Sequence, residues 1–212
     1  PDYILIHKEV KESFIKAFAE EMKELHGENI MEDRHYVRMV SDKAYGRVTG
    51  YFKDGDIIYG GRCDASTRFI EPTLMENVPL DSPLMTEEIF GPVFPIITLD
   101  DFGKSFKDKA IEFITSREKP LAFYYFGKES DGWEIIRRTS SGGGCINDVI
   151  MRIANENAPF GGVGNSGMGH YHDKESFDAF SHTRTIVSTG TWIDLPFRYM
   201  PYRMFGLVKK IL

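Results

Sequence analysis

Apolar residues recur near the start of the chain with the period of a helix. Val10, Phe14, Ile15, Phe18, Met22 and Leu25 follow it, and Gly27 lies just beyond the last of them. That spacing gathers one apolar stripe, and a glycine past its end is a stop signal, so a helix is predicted from Lys8 to Leu25. Before it, Asp2-Tyr3-Ile4-Leu5-Ile6 reads as a buried strand. A chain end is ordinarily polar and frayed, so a core strand at the second residue points to a sequence that is part of a longer chain. A second helix is predicted from Ser41 to Phe52, with Ser41 as its N-cap and Tyr45, Val48 and Phe52 on one face.

Asp56 to Gly61 reads as a short strand entering a turn. Phe69 to Leu74 is extended, because the residue before Pro72 avoids the helical region. Pro79 to Pro83 is a loop. Val93 to Leu99 is a strand whose Pro95 favours an edge or a bulge. A helix follows over Phe102 to Ser116, then a strongly buried strand over Leu121 to Phe126, a helix over Ser130 to Thr139, and an extended piece over Cys145 to Asp148. After a glycine-rich segment come a helix near Lys174 to Phe180 and an alternating, half-exposed strand over Thr183 to Thr189. Strands alternating with helices predict an α/β layered domain with a largely parallel sheet.

Composition narrows the function. With 42% hydrophobic and 27% charged residues over 212 positions, the chain is globular rather than disordered. A net charge of −6 argues against nucleic acid or an anionic membrane as partner. No apolar run reaches the roughly 18–20 residues that span a bilayer. Two cysteines, Cys63 and Cys145, are too few for a disulfide framework, and neither forms a metal-ligand spacing. A cytoplasmic location is the simplest expectation.

Two motifs carry candidate chemistry. In Thr86-Glu87-Glu88-Ile89-Phe90-Gly91-Pro92-Val93, the Gly-Pro pair forces a fixed chain path. Glu88 could then accept hydrogen bonds from sugar hydroxyls while Phe90 packs on a flat ring; a solvated carboxylate pair at a turn is the plainer alternative. About seventy residues later comes Pro159-Phe160-Gly161-Gly162-Val163-Gly164-Asn165-Ser166-Gly167. It contains a G-x-G-x-x-G string, but a dinucleotide fingerprint needs a strand before it and a helix after it. Asn155 to Pro159 is no strand, and Met168 to His172 has no helical pattern, so a tight loop using positive φ angles is predicted instead. Cys145 follows three glycines with no base or cation to activate it, which reads as a small packing residue. Cys63 lies in a polar loop. His170 and His172 lack a third ligand.

The order and spacing of the two motifs resemble the C-terminal half of an aldehyde dehydrogenase, of the class 3 and fatty-aldehyde type, from Pro1 to about Tyr202. The resemblance implies that Glu88 holds the nicotinamide ribose of NAD or NADP and that Phe90 borders the nicotinamide. Phe160, with Ile153 and Asn155, would line the substrate tunnel. It implies a catalytic domain over 1–182, then an oligomerisation strand and tail over 183–212, with a homodimer formed through Thr183 to Thr189. The aromatic-rich tail after Trp192 would pack on a partner subunit or domain rather than anchor to a membrane.

For the intact enzyme, the resemblance implies cysteine thiolate attack on the aldehyde, an oxyanion stabilised by N–H donors, hydride transfer to the nicotinamide, and thioester hydrolysis by glutamate-activated water. In that family the nucleophile lies a few residues before a Pro-Asp-Tyr-(Ile/Val)-Leu strand, and this chain begins at Pro1-Asp2-Tyr3-Ile4-Leu5. No catalytic residue is therefore expected on it, and the determinants of NAD against NADP would also lie upstream. Tunnel residues of this kind suit medium-chain or aromatic aldehydes. Two rival readings are a truncated, non-catalytic interaction module and an acyl-phosphate or acyl-CoA reductase on the same scaffold.

Overall fold

The computed structural model describes residues 1–192, 194, 199–202 and 205–210. The chain runs β1 (Ile4–His7), α1 (Lys11–His26), α2 (Asp42–Gly50), β2 (Asp56–Tyr59), β3 (Cys63–Asp64), β4 (Phe69–Ile70), β5 (Thr73–Glu76), α3 (Pro83–Thr86) and β6 (Val93–Leu99). It continues with α4 (Phe106–Thr115), β7 (Ala122–Tyr125), α5 (Glu129–Arg138), β8 (Gly143–Ile146), α6 (Met151–Ala154), α7 (Asp173–Ala179) and α8 (Phe205–Val208). The main sheet has the order β1-β6-β5-β2, and β7-β8 and β3-β4 form two small sheets. β1, β6 and β5 run parallel, as do β7 and β8, while β2 joins antiparallel. This is the α/β architecture with a mostly parallel sheet that the element order predicts.

α1 lays Phe14, Ile15 and Phe18 against Ile6, Leu74 and Ile96 of the main sheet. Its last turn ends at Gly27, whose φ of +77 only glycine adopts freely. Ser41 caps α2, its Oγ accepting from the Ala44 N–H at 3.1 Å. α4 and α5 share a second core of Ile111, Ile114 and Ile135, which Leu5 of β1 and Phe123 and Tyr125 of β7 also touch.

Five expectations change. β6 is an interior strand despite Pro95, because it pairs with β5 through Val93 to Pro95 and with β1 from Ile96 onward. The missing N–H thus falls where the strand changes partners. The helix predicted from Phe102 begins at Phe106: Ser105 caps it, and the Asp101 carboxylate accepts from the Phe106 N–H, holding 102–105 in a turn. β7 is half-buried rather than strongly buried, since α4 and α5 cover the face bearing Phe123 and Tyr125 and the ends, Leu121 and Phe126, are exposed. Residues 183–189 form no strand; they are exposed throughout, because a lone extended segment has no ladder without a neighbour to pair with. Cys63 lies in β3 rather than a loop, and Cys145 is half-buried on β8. The tail positions 193, 195–198, 203–204 and 211–212 lie outside the described residues. No helix among the described residues is long and apolar enough to cross a membrane.

A carboxylate–imidazole pair ties the end of α1 to the following loop. His26 Nδ1 lies 2.6 Å from Asp33 Oδ2, and the His35 N–H donates to Asp33 Oδ1 at 2.8 Å. The bond to His26, then the His35 N–H, hold the Asp33 carboxyl below the usual carboxylate range. A depressed folded-state pKa contributes stability above the ordinary Asp value, near pH 4, and that stability is lost as pH falls through the depressed value. Melting temperature should therefore fall more steeply below about pH 4 in the wild type than in Asp33→Asn. Parallel acid limbs in thermal melts would show the pair to be inert.

Candidate functional site

The Glu-Glu-Ile-Phe-Gly-Pro segment leaves α3 and enters β6 at the N-terminal edge of the parallel strands. Ile89 is its anchor. It is 2% exposed and packs with Val48, Tyr51, Ile70, Met75, Leu84 and Val93, a burial that contributes about 1.5–3 kcal/mol. Arg47, on α2, reaches across to the same place: its guanidinium donates to the Glu88 carbonyl at 3.1 Å, the Ile89 carbonyl at 2.6 Å and the Tyr51 hydroxyl at 2.5 Å. Tyr51 in turn donates to Glu87 Oε2 at 2.8 Å. Burial, then the Glu87 carboxylate, raise the Tyr51 hydroxyl above its ordinary value, so it stays a donor at neutral pH. The Ile89 N–H reaches Asp2 Oδ1 at 3.3 Å, and the Thr73 N–H donates to the Pro92 carbonyl at 2.8 Å.

With Ile89 turned inward, its two neighbours turn outward. Glu88 is exposed, and among the described residues its carboxylate has neither a hydrogen bond nor an ion pair. Phe90 is 75% exposed with φ +43, a left-handed backbone that costs a non-glycine residue on the order of 1–3 kcal/mol. The clamp therefore holds a free carboxylate and a bare aromatic ring on a fixed loop. Sequence patterns around 41–52 carry no sign that Arg47 reaches across to Glu88 and Ile89, so it went unrecognised there.

The second group lies beyond β8. Phe160 exchanges both backbone hydrogen bonds with Tyr171 at 2.9 Å. Its ring meets Tyr171 edge-on at 5.5 Å and stacks on His172 at 5.9 Å, while the Arg152 guanidinium carbon lies 4.7 Å from its centre. Ile153 and Asn155 are exposed, on α6 and at its end. The glycine-rich segment is a tight loop, as predicted: Gly164 has φ +64, and Gly162 lies so close to the Ser166 carbonyl that a Cβ would come within 2.0 Å. His170 pairs with Glu175 at 2.6 Å, and His172 Nδ1 meets the Ala158 carbonyl at 3.1 Å. Among the described residues no cluster of three potential metal ligands occurs. No hydrogen bond, ion pair or ring contact joins Glu88 or Phe90 to Ile153, Asn155 or Phe160 among the described residues. Phe160 is brought together with Tyr171, His172 and Arg152, and no hydrogen bond, ion pair or ring contact joins it to Ile153 or Asn155 among the described residues.

The architecture is that of an α/β domain carrying an outward-facing Glu and Phe on one loop and an aromatic platform on another. Residues 1–186 match the aldehyde dehydrogenase family. The Dictyostelium discoideum protein aldehyde dehydrogenase family 3 comG is 40% identical over 208 residues, covering 97% of this chain and 43% of that protein. The dimeric NADP-preferring aldehyde dehydrogenase of Bos taurus is 41% identical over 188 residues, covering 88% of this chain and 77% of that protein. A solved substrate-bound structure of Staphylococcus aureus AldH superposes with a TM-score of 0.82 at 41% identity, over 100% of this chain and 46% of that one. The chain belongs to the aldehyde dehydrogenase family. It spans less than half the length of most of these relatives, 43% and 46% in two of the three.

Gly91 tests the anchor. A Cβ there would meet Val48 Cγ1 at 2.8 Å and Cγ2 at 2.9 Å, so Gly91→Ala should destabilise by about 1–3 kcal/mol through overpacking. Val48→Ala removes the obstructing methyls, and the double variant should be more stable than the sum of the single effects predicts. Additive effects in urea denaturation would mean that Gly91 is not held against Val48.

Proposed function

We propose that this chain is the cofactor-ribose and substrate-tunnel part of an NAD(P)-dependent aldehyde dehydrogenase that oxidises an aldehyde to a carboxylate. One observation carries the reading: an unpartnered Glu88 carboxylate and an exposed Phe90 ring are presented by a loop whose backbone Arg47 and Ile89 pin. A carboxylate without internal partners suits a pair of ribose hydroxyls, which donate to it. A bare ring fixed at a costly φ suits a flat heterocycle. When bound, the nicotinamide supplies the hydride acceptor.

The residues here bind and orient. Glu88 would accept the hydroxyl hydrogen bonds and Phe90 would limit the tilt of the ring. Phe160 and Ile153 would offer an apolar wall to a medium-chain or aromatic aldehyde, with Asn155 at its polar margin. We assign neither Cys63 nor Cys145 as the nucleophile. Cys63 is exposed on a two-residue strand and Cys145 lies on β8 beside Trp133 and Glu129, and no histidine, lysine or arginine donates to either thiol among the described residues. The thiolate, the general base and the choice between NAD and NADP would come from other parts of the complete gene product.

Removing Glu88 deletes hydrogen bonds to a charged acceptor, each worth about 1.5–3 kcal/mol. In the complete gene product, Glu88→Ala should raise the dissociation constant for NAD(P)⁺ by roughly ten- to a hundredfold, read by quenching of protein fluorescence. Unchanged affinity would remove Glu88 from the cofactor site, and absence of NAD(P)-dependent hexanal oxidation by the wild type would defeat the dehydrogenase reading.

A homodimer through residues 183–189 belongs to the same proposal. Ile186 and Val187 are 73% and 80% exposed in a β-branched stretch, the composition of a strand that pairs when offered an edge. Placing lysine at both positions should shift sedimentation from dimer to monomer; a dimer that survives the double substitution is held elsewhere.

A further inference from the structure

Arg152 is set apart from the other half-buried arginines described. Arg38 donates to the Tyr36 and Met31 carbonyls, Arg47 to those of Glu88 and Ile89, and Arg117 to that of Met85, while Arg68 lies 3.7 Å from Asp42. Among the described residues, Arg152 has neither a hydrogen bond nor an ion pair, and its Nε is buried without a partner; the Arg68 Nε is unpartnered as well, but that side chain keeps its contact with Asp42. Buried polar atoms are rarely left so. The nearest acidic residues in sequence do not supply one: Asp148 accepts instead from the Val149 N–H at 2.7 Å, and Glu156 is exposed.

The guanidinium is also positioned. Its carbon lies 4.7 Å from the centre of the Phe160 ring. The β8 backbone comes so close at Gly143 that an added Cβ would sit 3.1 Å from Arg152 Nη1. Asn155, the extended residue that ends α6, accepts from the Asn157 N–H with its Oδ1, which leaves its amide N–H₂ group free to donate. A planar fork of donors thus stands over the Phe160 ring, three residues before a free amide in sequence, with no acceptor among the described residues. The geometry that satisfies an arginine fork is a planar, two-oxygen anion, bound bidentate.

We propose that Arg152 receives a carboxylate at the far end of the aldehyde, so that the enzyme selects aldehydes bearing a terminal acid group. The inference rests on the tunnel reading of Phe160, Ile153 and Asn155 above and names the substrate class it takes. Ile153 and Phe160 cover the methylenes, Arg152 pairs with the carboxylate, and Asn155 donates to its second oxygen.

The test is binding before turnover. The complete gene product is titrated calorimetrically with hexanoate and with hexanedioate, as wild type, Arg152→Met and Arg152→Lys. The wild type should bind the dicarboxylate about tenfold more tightly, Arg152→Met should lose that advantage, and Arg152→Lys, which keeps charge but not the fork, should fall between. Equal affinities in the wild type, or an advantage that survives in Arg152→Met, would overturn the proposal. Should Arg152→Met not fold, Arg152→Lys alone decides, by lowering the preference or leaving it untouched. Turnover then separates the two readings. The ratio of kcat/KM for hexanal carrying a terminal carboxylate to that for plain hexanal should fall about tenfold in the variant. Ready oxidation of hexanal with no preference that depends on Arg152 would sink this inference and spare the dehydrogenase; an Arg152-dependent preference for hexanedioate without oxidation of any aldehyde would keep Arg152 as a carboxylate site but overturn the aldehyde as its substrate, together with the dehydrogenase reading.

Discussion

The burial of Ile89 is the constraint on which the candidate site rests. Its side chain fills a space between α2 and the main sheet, among Val48, Tyr51, Ile70 and Val93. Turning one residue of a bent, extended stretch inward turns its neighbours outward, which puts Glu88 and Phe90 at the surface. Pulling the backbone inward would leave the 88 and 89 carbonyls without water. Arg47 answers both, so the same contacts that bury the apolar residue also satisfy the polar backbone around it. The left-handed Phe90 persists because both of its flanks are held, Ile89 by the core and Gly91 by contact with Val48.

The main sheet meets a related difficulty at β6. An interior strand with a proline loses one ladder donor, and a sheet can tolerate that only where no partner waits for it. β6 meets β5 at its start and β1 at its end, with Pro95 at the changeover. This offset lets one strand join two others that overlap it only partly, and it brings Asp2, just ahead of β1, within reach of the Ile89 N–H.

Much of this was readable in advance. The 3.6-residue spacing and Gly27 gave α1, and Ser41 gave the start of α2, because these signals are local and the structure keeps them. The glycine-rich loop was separable from a dinucleotide fingerprint by its flanks alone. Glu88 and Phe90 were singled out by their motif and by resemblance, and both stand at the surface. What escaped is non-local. Arg47 and Glu88 are 41 residues apart, and nothing in either neighbourhood announces the other. Arg152 stands in an unremarkable stretch, and its lack of a partner is a property of three-dimensional surroundings. Pro95 misled because the edge rule assumes one partner along the whole strand, and 183–189 reads as a strand whether or not an edge is present to complete it.

The two halves of the candidate site belong to different sheets, so their mutual placement depends on what joins those sheets. Glycines lock the Phe160 side internally: a Cβ on Gly142 would come within 2.3 Å of the Gly161 carbonyl and 2.8 Å of that of Leu121, fastening the glycine-rich loop to the start of β7 and β8. The Glu88 side is fastened to α2 and β6. Between them stands the α4–α5 layer, where Ile111, Ile114 and Ile135 meet Leu5 from one sheet and Phe123 and Tyr125 from the other. Its solvent side carries Lys107 against Asp131 at 3.0 Å and Glu134 at 2.6 Å, and Arg138 against Asp108 at 2.9 Å. Each such pair is weak alone at a partly exposed site, but they share residues, and they fix the roll of α5 on α4, which apolar packing by itself leaves loose. The placement of Glu88 relative to Phe160 is thus set by three isoleucines and a charged lattice that touch neither.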